Sequence, residues 1–436
     1  MSLSTILALV NTTRVLDDLD TLRSFGATSQ GRWGRGVSRR GLTPADLEAR
    51  RWLVGQMDAA GLATRLDGIG TVYGEGGDAS RPALLMGSHT DTQPEGGWLD
   101  GALGVIYALE AARVLREAGA PGAWAVIDFQ DEEGRFGTLV GSRAFAGLNA
   151  PPLEKMEDAR SAAGLSGVPL VRWDERGAGW LGYLEGHIEQ GPRLEAANAS
   201  VGVVDAIVGM RQMRIFLTGV QGHAGGCPMD ERADAGLAAM RLAAGLDAAL
   251  HAECDGDEAC AGAVWTFPQL AGFVSHSTIP GQTELTLQFR AAAEEPLQRI
   301  ERIARAHCEG DRRALGLPPL SSGRPVECRL ESARDPLPAA PMDPDLVACV
   351  TAASRLAVAS PEARPGGVLT MASRAIHDAS LMASRMPAAM LFVPSIGGVS
   401  HSFDEHTHAL DIAVGAKAFV GAAAGILLKQ CAAAPE

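Results

Sequence analysis

Five short segments of this chain concentrate residue types that hold metal ions and move protons. They are His89 and Asp91 in "SHTDT", Asp100 in "GGWLDGALGV", Glu132 and Glu133 in "DEEGRF", His187 in "HIEQGP" and His401 in "GGVSHSF". Singly, a histidine in a strand or an acidic pair in a loop is an ordinary satisfied or solvated group. Together, imidazoles and carboxylates form the ligand set of borderline metals such as zinc, manganese or cobalt. His89, Asp100, Glu133, His187 and His401 make five candidate ligands where a catalytic zinc uses three, so two ions fit better than one. A carboxylate can bridge two ions, so Asp100 could serve both. Asp91, two residues beyond His89, can fix the imidazole from behind. Glu132 adjoins a ligand without being needed as one, and a free carboxylate beside an activated water can act as general base.

Each of these segments follows an apolar run. From "ARRWLVGQMDAAGLATRLD" onward, helical periodicity alternates with short apolar strands such as "PALLMGSH" and "AWAVIDFQDEEG", an α/β pattern with strands buried on both faces. In open α/β sheets ligands gather at the carboxyl ends of strands, where "LLMGSHTD" and "AVIDFQDEE" turn polar. Near residue 209 the pattern becomes strand, Ala-rich helix, two strands, helix and strand, the βαββαβ order of a ferredoxin-like unit. That order ends at the Pro- and Asp-rich linker "RDPLPAAPMDPD", after which the α/β pattern resumes. The predicted architecture is a discontinuous α/β domain, residues 1–208 and 335–436, with a mixed sheet flanked by helices and an inserted βαββαβ domain over residues 209–334.

Composition narrows the partners. With 46% hydrophobic and 21% charged residues the chain can fill globular cores, and its net charge of −14 offers no basic face for nucleic acid. A small-molecule partner is expected. The N-terminal segment reads as an amphipathic helix because acids follow its short apolar run and no basic segment precedes it. No run approaches eighteen uninterrupted apolar residues, so no membrane span is expected. The odd count of seven cysteines, without a close CxxC pair, fits reduced thiols in the cytosol.

The motifs "SHTDT" with "GGWLDGALGV", "DEEGRF", "HIEQGP", "GHAGGCPMDERADA", "IPG" before "LQFR", "HDASLMA" and "VPSIGGVSH" span essentially the whole chain. In them the chain resembles the amidase, hydantoinase and carbamoylase branch of the metal-dependent aminoacylase and carboxypeptidase superfamily. N-carbamoyl-L-amino-acid hydrolases, β-ureidopropionases, and allantoate and ureidoglycolate amidohydrolases belong to that branch. The resemblance implies two divalent ions, Zn²⁺ or Mn²⁺ with Co²⁺ or Ni²⁺ as options, on His89, Asp100, Glu133, His187 and His401. It implies Glu132 as base toward a water bridging the ions, and a strained or cis peptide from Asp100 to Gly101. It also implies an inserted lid that forms a homodimer, His223 reaching the partner's site, and Arg290 holding a substrate carboxylate. Read from the residues alone, His223 at a strand-to-helix turn faces a cleft or caps the helix. Arg290 grips a carboxylate or pairs with Glu294 or Glu295. Gln190 is a plausible amide contact beside His187, and His377 of "HDASLMA" is a further candidate for the substrate pocket.

Three departures from the branch bear on substrate. Ser277 stands where an Asn usually precedes the "IPG" turn, Arg374 and Ile376 replace two glycines in "SRAIHDA", and Gly226 and Cys227 replace two threonines. The expected reaction is hydrolysis of a C–N bond in a small carboxylated substrate, of the N-carbamoyl-L-amino-acid type. The altered loop leaves room for an N-acyl amino acid, an allantoate-like ureide or an aromatic amine deaminated by water. An aminopeptidase fits less well, because "HIEQGP" marks the ureide-cleaving branch. A noncatalytic ligand-binding homologue is the reading from another class, set against the presence of all five ligands and the base.

Overall fold

The computed structural model describes residues 3–148, 153–314, 316–333 and 336–433. In chain order the main strands are β1 (Ala63–Leu66), β2 (Val72–Gly77), β3 (Ala83–His89), β4 (Ala123–Phe129), β5 (Trp180–Ile188), β6 (Val201–Ile207), β7 (Gly209–Thr218), β8 (Val264–Ala271), β9 (Gln282–Ala291), β10 (Glu327–Ser332), β11 (Val368–Ser373) and β12 (Ala388–Val393). The main helices are α1 (Thr12–Ser24), α2 (Pro44–Ala59), α3 (Ala102–Glu117), α4 (Ala235–Cys254), α5 (Glu294–Glu309), α6 (Pro344–Ala357) and α7 (Ala409–Ala433). The chain divides into two compact units, residues 1–206 with 342–436, and residues 207–341.

The first unit is built on a mixed sheet in which strands lie in the order β1-β2-β4-β3-β5-β12-β6, with β11 also beside β6. The central pairs β4/β3, β3/β5 and β5/β12 are parallel, while β1/β2, β2/β4 and β12/β6 are antiparallel. Every residue of β3, β4 and β12 is buried, as strands covered on both faces require. Helix α2 starts where the sequence signals it, with Thr43 as N-cap accepting from Asp46 N–H and Pro44 in the first turn. Helix α7 is long and apolar enough to cross a membrane, but 83% of its most apolar window is buried in this protein. It is a core helix, packing Val414, Phe419, Val420 and Ile426 in the main apolar cluster of the unit.

The second unit carries an antiparallel sheet in the order β10-β7-β9-β8. With α4 between β7 and β8 and α5 between β9 and β10, this is the βαββαβ order, and both helices cover one sheet face through Leu242, Leu246, Leu297 and Ile300. The expected 334/335 boundary lies on residues outside those described, and the units divide at 341/342 instead. The first part of the proline-rich linker stays with the second unit because Leu337 pairs with Met210 through both main-chain hydrogen bonds, at 2.8 and 3.0 Å. The cysteines described with side chains are unpaired thiols.

Candidate active site

The central strands of the first unit end in the polar segments singled out above. His89 is the last residue of β3, Glu132 and Glu133 follow β4, His187 is the penultimate residue of β5, and His401 follows β12 through a short turn. Asp100 sits immediately before α3, whose N-cap Gly101 has φ 65°. A Cβ on Gly101 would lie 2.4 Å from the His89 ring, so only glycine lets the helix start this close to an imidazole. Among the described residues no peptide bond is cis, so of the strained or cis link expected after Asp100 the cis form is absent, and Gly101 turns the chain with a positive φ.

The two oxygens of Asp100 face different partners. Oδ1 lies 3.1 Å from His187 Nε2 and 3.6 Å from His89 Nε2. Oδ2 lies 3.2 Å from His401 Nε2, which in turn is 3.5 Å from Glu133 Oε2. Two triads with metal-binding spacing result, His89–Asp100–His187 and Asp100–Glu133–His401. His89 Nδ1 donates to the carbonyl of Asp91 at 3.0 Å and His187 Nδ1 to that of Ile188 at 2.9 Å. Both bonds keep the Nδ1 proton on a carbonyl and aim Nε2 at the cluster, so that an Nε2 without its proton is the tautomer a metal ligand needs.

Asp91 meets the His89 ring through its main chain. Its main-chain carbonyl holds the His89 ring, whereas its carboxylate accepts from Glu132 N–H at 3.3 Å and Glu133 N–H at 3.2 Å. Behind it, fully buried Arg50 bonds Asp46 at 3.0 Å and Asp128 at 2.9 Å and lies 3.7 Å from Asp91. Burial works against the Arg50 charge, and Asp128, Asp46 and Asp91 outweigh it.

Electrostatics test whether these side chains fit divalent ions. Burial pushes Glu132 well above the usual carboxylate range, with Glu133, Asp378, Asp91 and Asp100 adding to the shift. Burial, then Asp100, raises Glu133 to about 8. Asp100 goes the other way, because hydrogen bonds from His187 and His401 overcome its burial. Without cations the pocket holds more carboxylates than it can keep ionised, and divalent charge at the two triads would relieve that repulsion. Glu132 belongs to neither triad, yet its Oε2 is 3.8 Å from His89 Nε2. His401 is the open side of the cluster, with half of its side chain exposed while the other four ligands are nearly closed off.

The proposed substrate contacts fall in different places. Gln190 is committed to the cluster, donating from Nε2 to Asp100 Oδ2 at 2.8 Å and to Ser400 Oγ at 3.1 Å. His377 is buried against His187, ring centroids 4.4 Å apart, with Nε2 3.0 Å from Ser373 Oγ. Arg374 is exposed in the loop after β11. His223, Ser277 and Arg290 belong to the second unit. His223 pairs with Thr278 across a short ladder, and Ser277 O accepts Ala224 N–H at 2.8 Å, which makes His223 and Ser277 neighbours. Asp234 caps α4, so His223 does not. The His223 Nδ1 instead accepts N–H from Gly225 and Gly226 at 3.2 and 3.1 Å, which leaves Nε2 as an exposed N–H donor. Arg290 lies on β9 opposite Met210 and Val264, with Nε 3.4 Å from Gln288 Oε1, while Glu294 pairs with Arg211 and Glu295 with Arg299.

Several residues of the cluster escaped the sequence reading. Gln93 donates to Glu133 Oε2 at 2.7 Å, Ser400 lies 3.0 Å from Asp100 Oδ2, and buried Glu405 accepts from the main chain at Leu99 and Asp100. Glu405 stands four residues after His401 in "HSFDEHT", the one signal that marks it.

Residues 85–424 match the family model described as Peptidase family M20/M25/M40. The chain is 33% identical to an N-carbamoyl-L-amino-acid amidohydrolase of Paenarthrobacter aurescens, over 92% of this chain and 95% of that one. It is also 33% identical to the allantoate amidohydrolase of Escherichia coli, covering 92% and 94%. Among solved structures, an amidase of the hydantoinase/carbamoylase family from Burkholderia phymatum is similar with a TM-score of 0.81 at 38% identity, covering 96% of this chain and 98% of that one. The chain belongs to peptidase family M20/M25/M40 and, within it, to the hydantoinase/carbamoylase amidases.

Proposed function

We propose that the protein, an amidohydrolase of C–N bonds other than peptide bonds, cleaves a ureido or amide bond in a small carboxylated substrate, with Glu132 as general base. The observation that carries this reading is Asp100, one oxygen toward His89 and His187 and the other toward His401, with Glu132 beside the cluster and outside both triads. Relatives named for N-carbamoyl-L-amino acids and allantoate support the substrate class. Zinc or manganese ions bound there would supply Lewis-acid polarisation of water and of the scissile carbonyl.

The chain's own residues do the rest. Glu132, whose proton affinity is raised first by burial, takes the proton of the attacking water and passes it to the departing nitrogen. His223 Nε2–H is a donor suited to a developing oxyanion, and Arg290 offers a planar grip for a carboxylate. In this reading the second unit is the lid and homodimer surface, and His223 serves the neighbouring subunit. The cytosol remains the expected compartment.

The test is ammonia release from a panel of N-carbamoyl, N-acyl, ureido and amino-aromatic acids by protein reconstituted with manganese, zinc or cobalt. Turnover of a ureido or amide member is expected. Metal-loaded protein that turns over none of the panel rejects the reading.

A further inference from the structure

Asp100 presents one oxygen to each triad, and only Oδ2, the oxygen facing His401, is bonded by the side chains of Gln190 and Ser400. Ser400 Oγ lies 3.0 Å from Asp100 Oδ2 and 3.0 Å from Glu405 Oε2, bridging the two acids. The other oxygen of Glu405, Oε1, accepts the main-chain N–H groups of Leu99 and Asp100, both at 3.0 Å. Glu405 is fully buried, and the chain is shaped around it: a Cβ on Gly97 would sit 2.0 Å from the Glu405 carboxyl carbon. Its own N–H bonds Ser402 O at 3.1 Å, closing the tight turn that directly follows His401.

We propose that Glu405 is a positioning residue that latches the turn bearing His401 to the turn bearing Asp100, and so sets the affinity of the Asp100–Glu133–His401 subsite alone. The inference rests on the two-ion reading above. The asymmetry follows from which atoms are tied. Ser400 and Gln190 both bond Oδ2, the oxygen facing His401. The His89–Asp100–His187 subsite takes its imidazoles from β3 and β5, and each ring is held by a carbonyl of its own segment, Asp91 O and Ile188 O. Glu405 is not a ligand itself, because its oxygens are taken by two N–H donors and a hydroxyl, and it belongs to neither triad.

The experiment titrates metal-free, full-length protein with Co²⁺, following its visible spectrum and the heat of binding, with thermal melts as a check on folding. Wild type should take up two ions. Glu405→Ala and Ser400→Ala should bind one ion as wild type does and the other about 10- to 100-fold more weakly, the usual cost of losing a group that orients a ligand. Glu405→Gln keeps an acceptor for the Leu99 and Asp100 N–H groups and should fall between. Ser400 is only partly buried, so Ser400→Ala reads out the latch even where Glu405→Ala fails to fold. Adding Glu405→Ala to His401→Ala should weaken binding no further, since both act on one subsite. Wild-type affinity for both ions in Ser400→Ala and Glu405→Ala, or equal weakening of both, overturns the latch. A wild-type protein that takes up fewer than two ions removes the two-ion reading itself, and the latch with it.

Discussion

The main-chain N–H groups of Glu132 and Glu133 donate to different oxygens of one carboxylate, that of Asp91, at 3.3 and 3.2 Å. This fixes two adjacent acids while sending their side chains to different neighbours, Glu132 toward His89 and Glu133 toward His401. Division of labour between them should be separable by mutation. Glu132→Gln should lower turnover by about 10²- to 10⁴-fold, the range for loss of a general base, with metal content nearly unchanged. Glu133→Gln should lose metal as well as activity. Elemental analysis alongside kinetics checks both, and equal metal loss in the two variants would reverse the assignment.

The same relationship makes Arg50 a stability determinant. Its fully buried guanidinium faces Asp46, Asp128 and Asp91. Arg50→Met would strand three buried carboxylates without their cation, and breaking such an arrangement costs about 3–5 kcal/mol. A markedly lower melting temperature is expected, and an unchanged melt would show that the acids are neutralised some other way.

How far the site could be read from sequence depends on what kind of bond holds each residue. Apolar runs ending at His89 and His187 announce buried strands with ligands at their carboxyl ends, and the fold follows from that pattern. Glu405 leaves no such trace, because it serves main-chain N–H groups about 300 residues away, and main-chain partners have no side-chain signature. Asp91 was legible as a neighbour of His89, but a two-residue spacing does not say whether carbonyl or carboxylate meets the ring. Similarly, Gln190 and His377 were visible as polar residues near ligands, but the bond of Gln190 to Asp100 joins loops that only the folded chain brings together, and that of His377 to Ser373 depends on the shape of one local turn.

Metal uptake should depend on pH with a definite sign. In the metal-free protein His187 is raised to about 9 by its hydrogen bond with Asp100 against the pull of burial, and His401 to about 9 first by its hydrogen bond with Asp100. Both imidazoles therefore carry a proton at neutral pH that a metal must displace. Apparent affinity should rise as pH increases toward 9, and binding at pH 7 should release protons. Calorimetry in buffers of different ionisation heat measures that release, and none would mean the imidazoles are already neutral.

A shared site predicts complementation. His223 has its Nδ1 occupied by two main-chain N–H groups and its Nε2–H exposed, poised to donate to something beyond its own turn. If that something is the neighbouring subunit's substrate, mixed dimers of His223→Ala and Glu132→Gln contain one intact site. Subunit exchange should then restore up to about half of one normal site pair's activity, as expected for a symmetric two-site dimer. Confirmed mixed dimers without any recovery would place His223 in its own subunit's site or in none.

Substrate choice is where we expect this chain to depart from its branch. Ser277 offers a short hydroxyl in place of an amide beside His223, and exposed Arg374 with Ile376 adds charge and bulk where the branch keeps two glycines. A planar guanidinium favours a flat or additional anionic group over a small aliphatic side chain. Wild type should therefore turn over aliphatic N-carbamoyl amino acids with kcat/KM below the ordinary enzyme range of about 10⁴ M⁻¹s⁻¹. Arg374→Gly should raise that value and lower the value for flatter or more acidic members of the panel, because it reopens the close backbone approach and removes the anion's partner. Ordinary rates on aliphatic substrates that Arg374→Gly leaves unchanged would show that the loop has drifted without consequence for specificity.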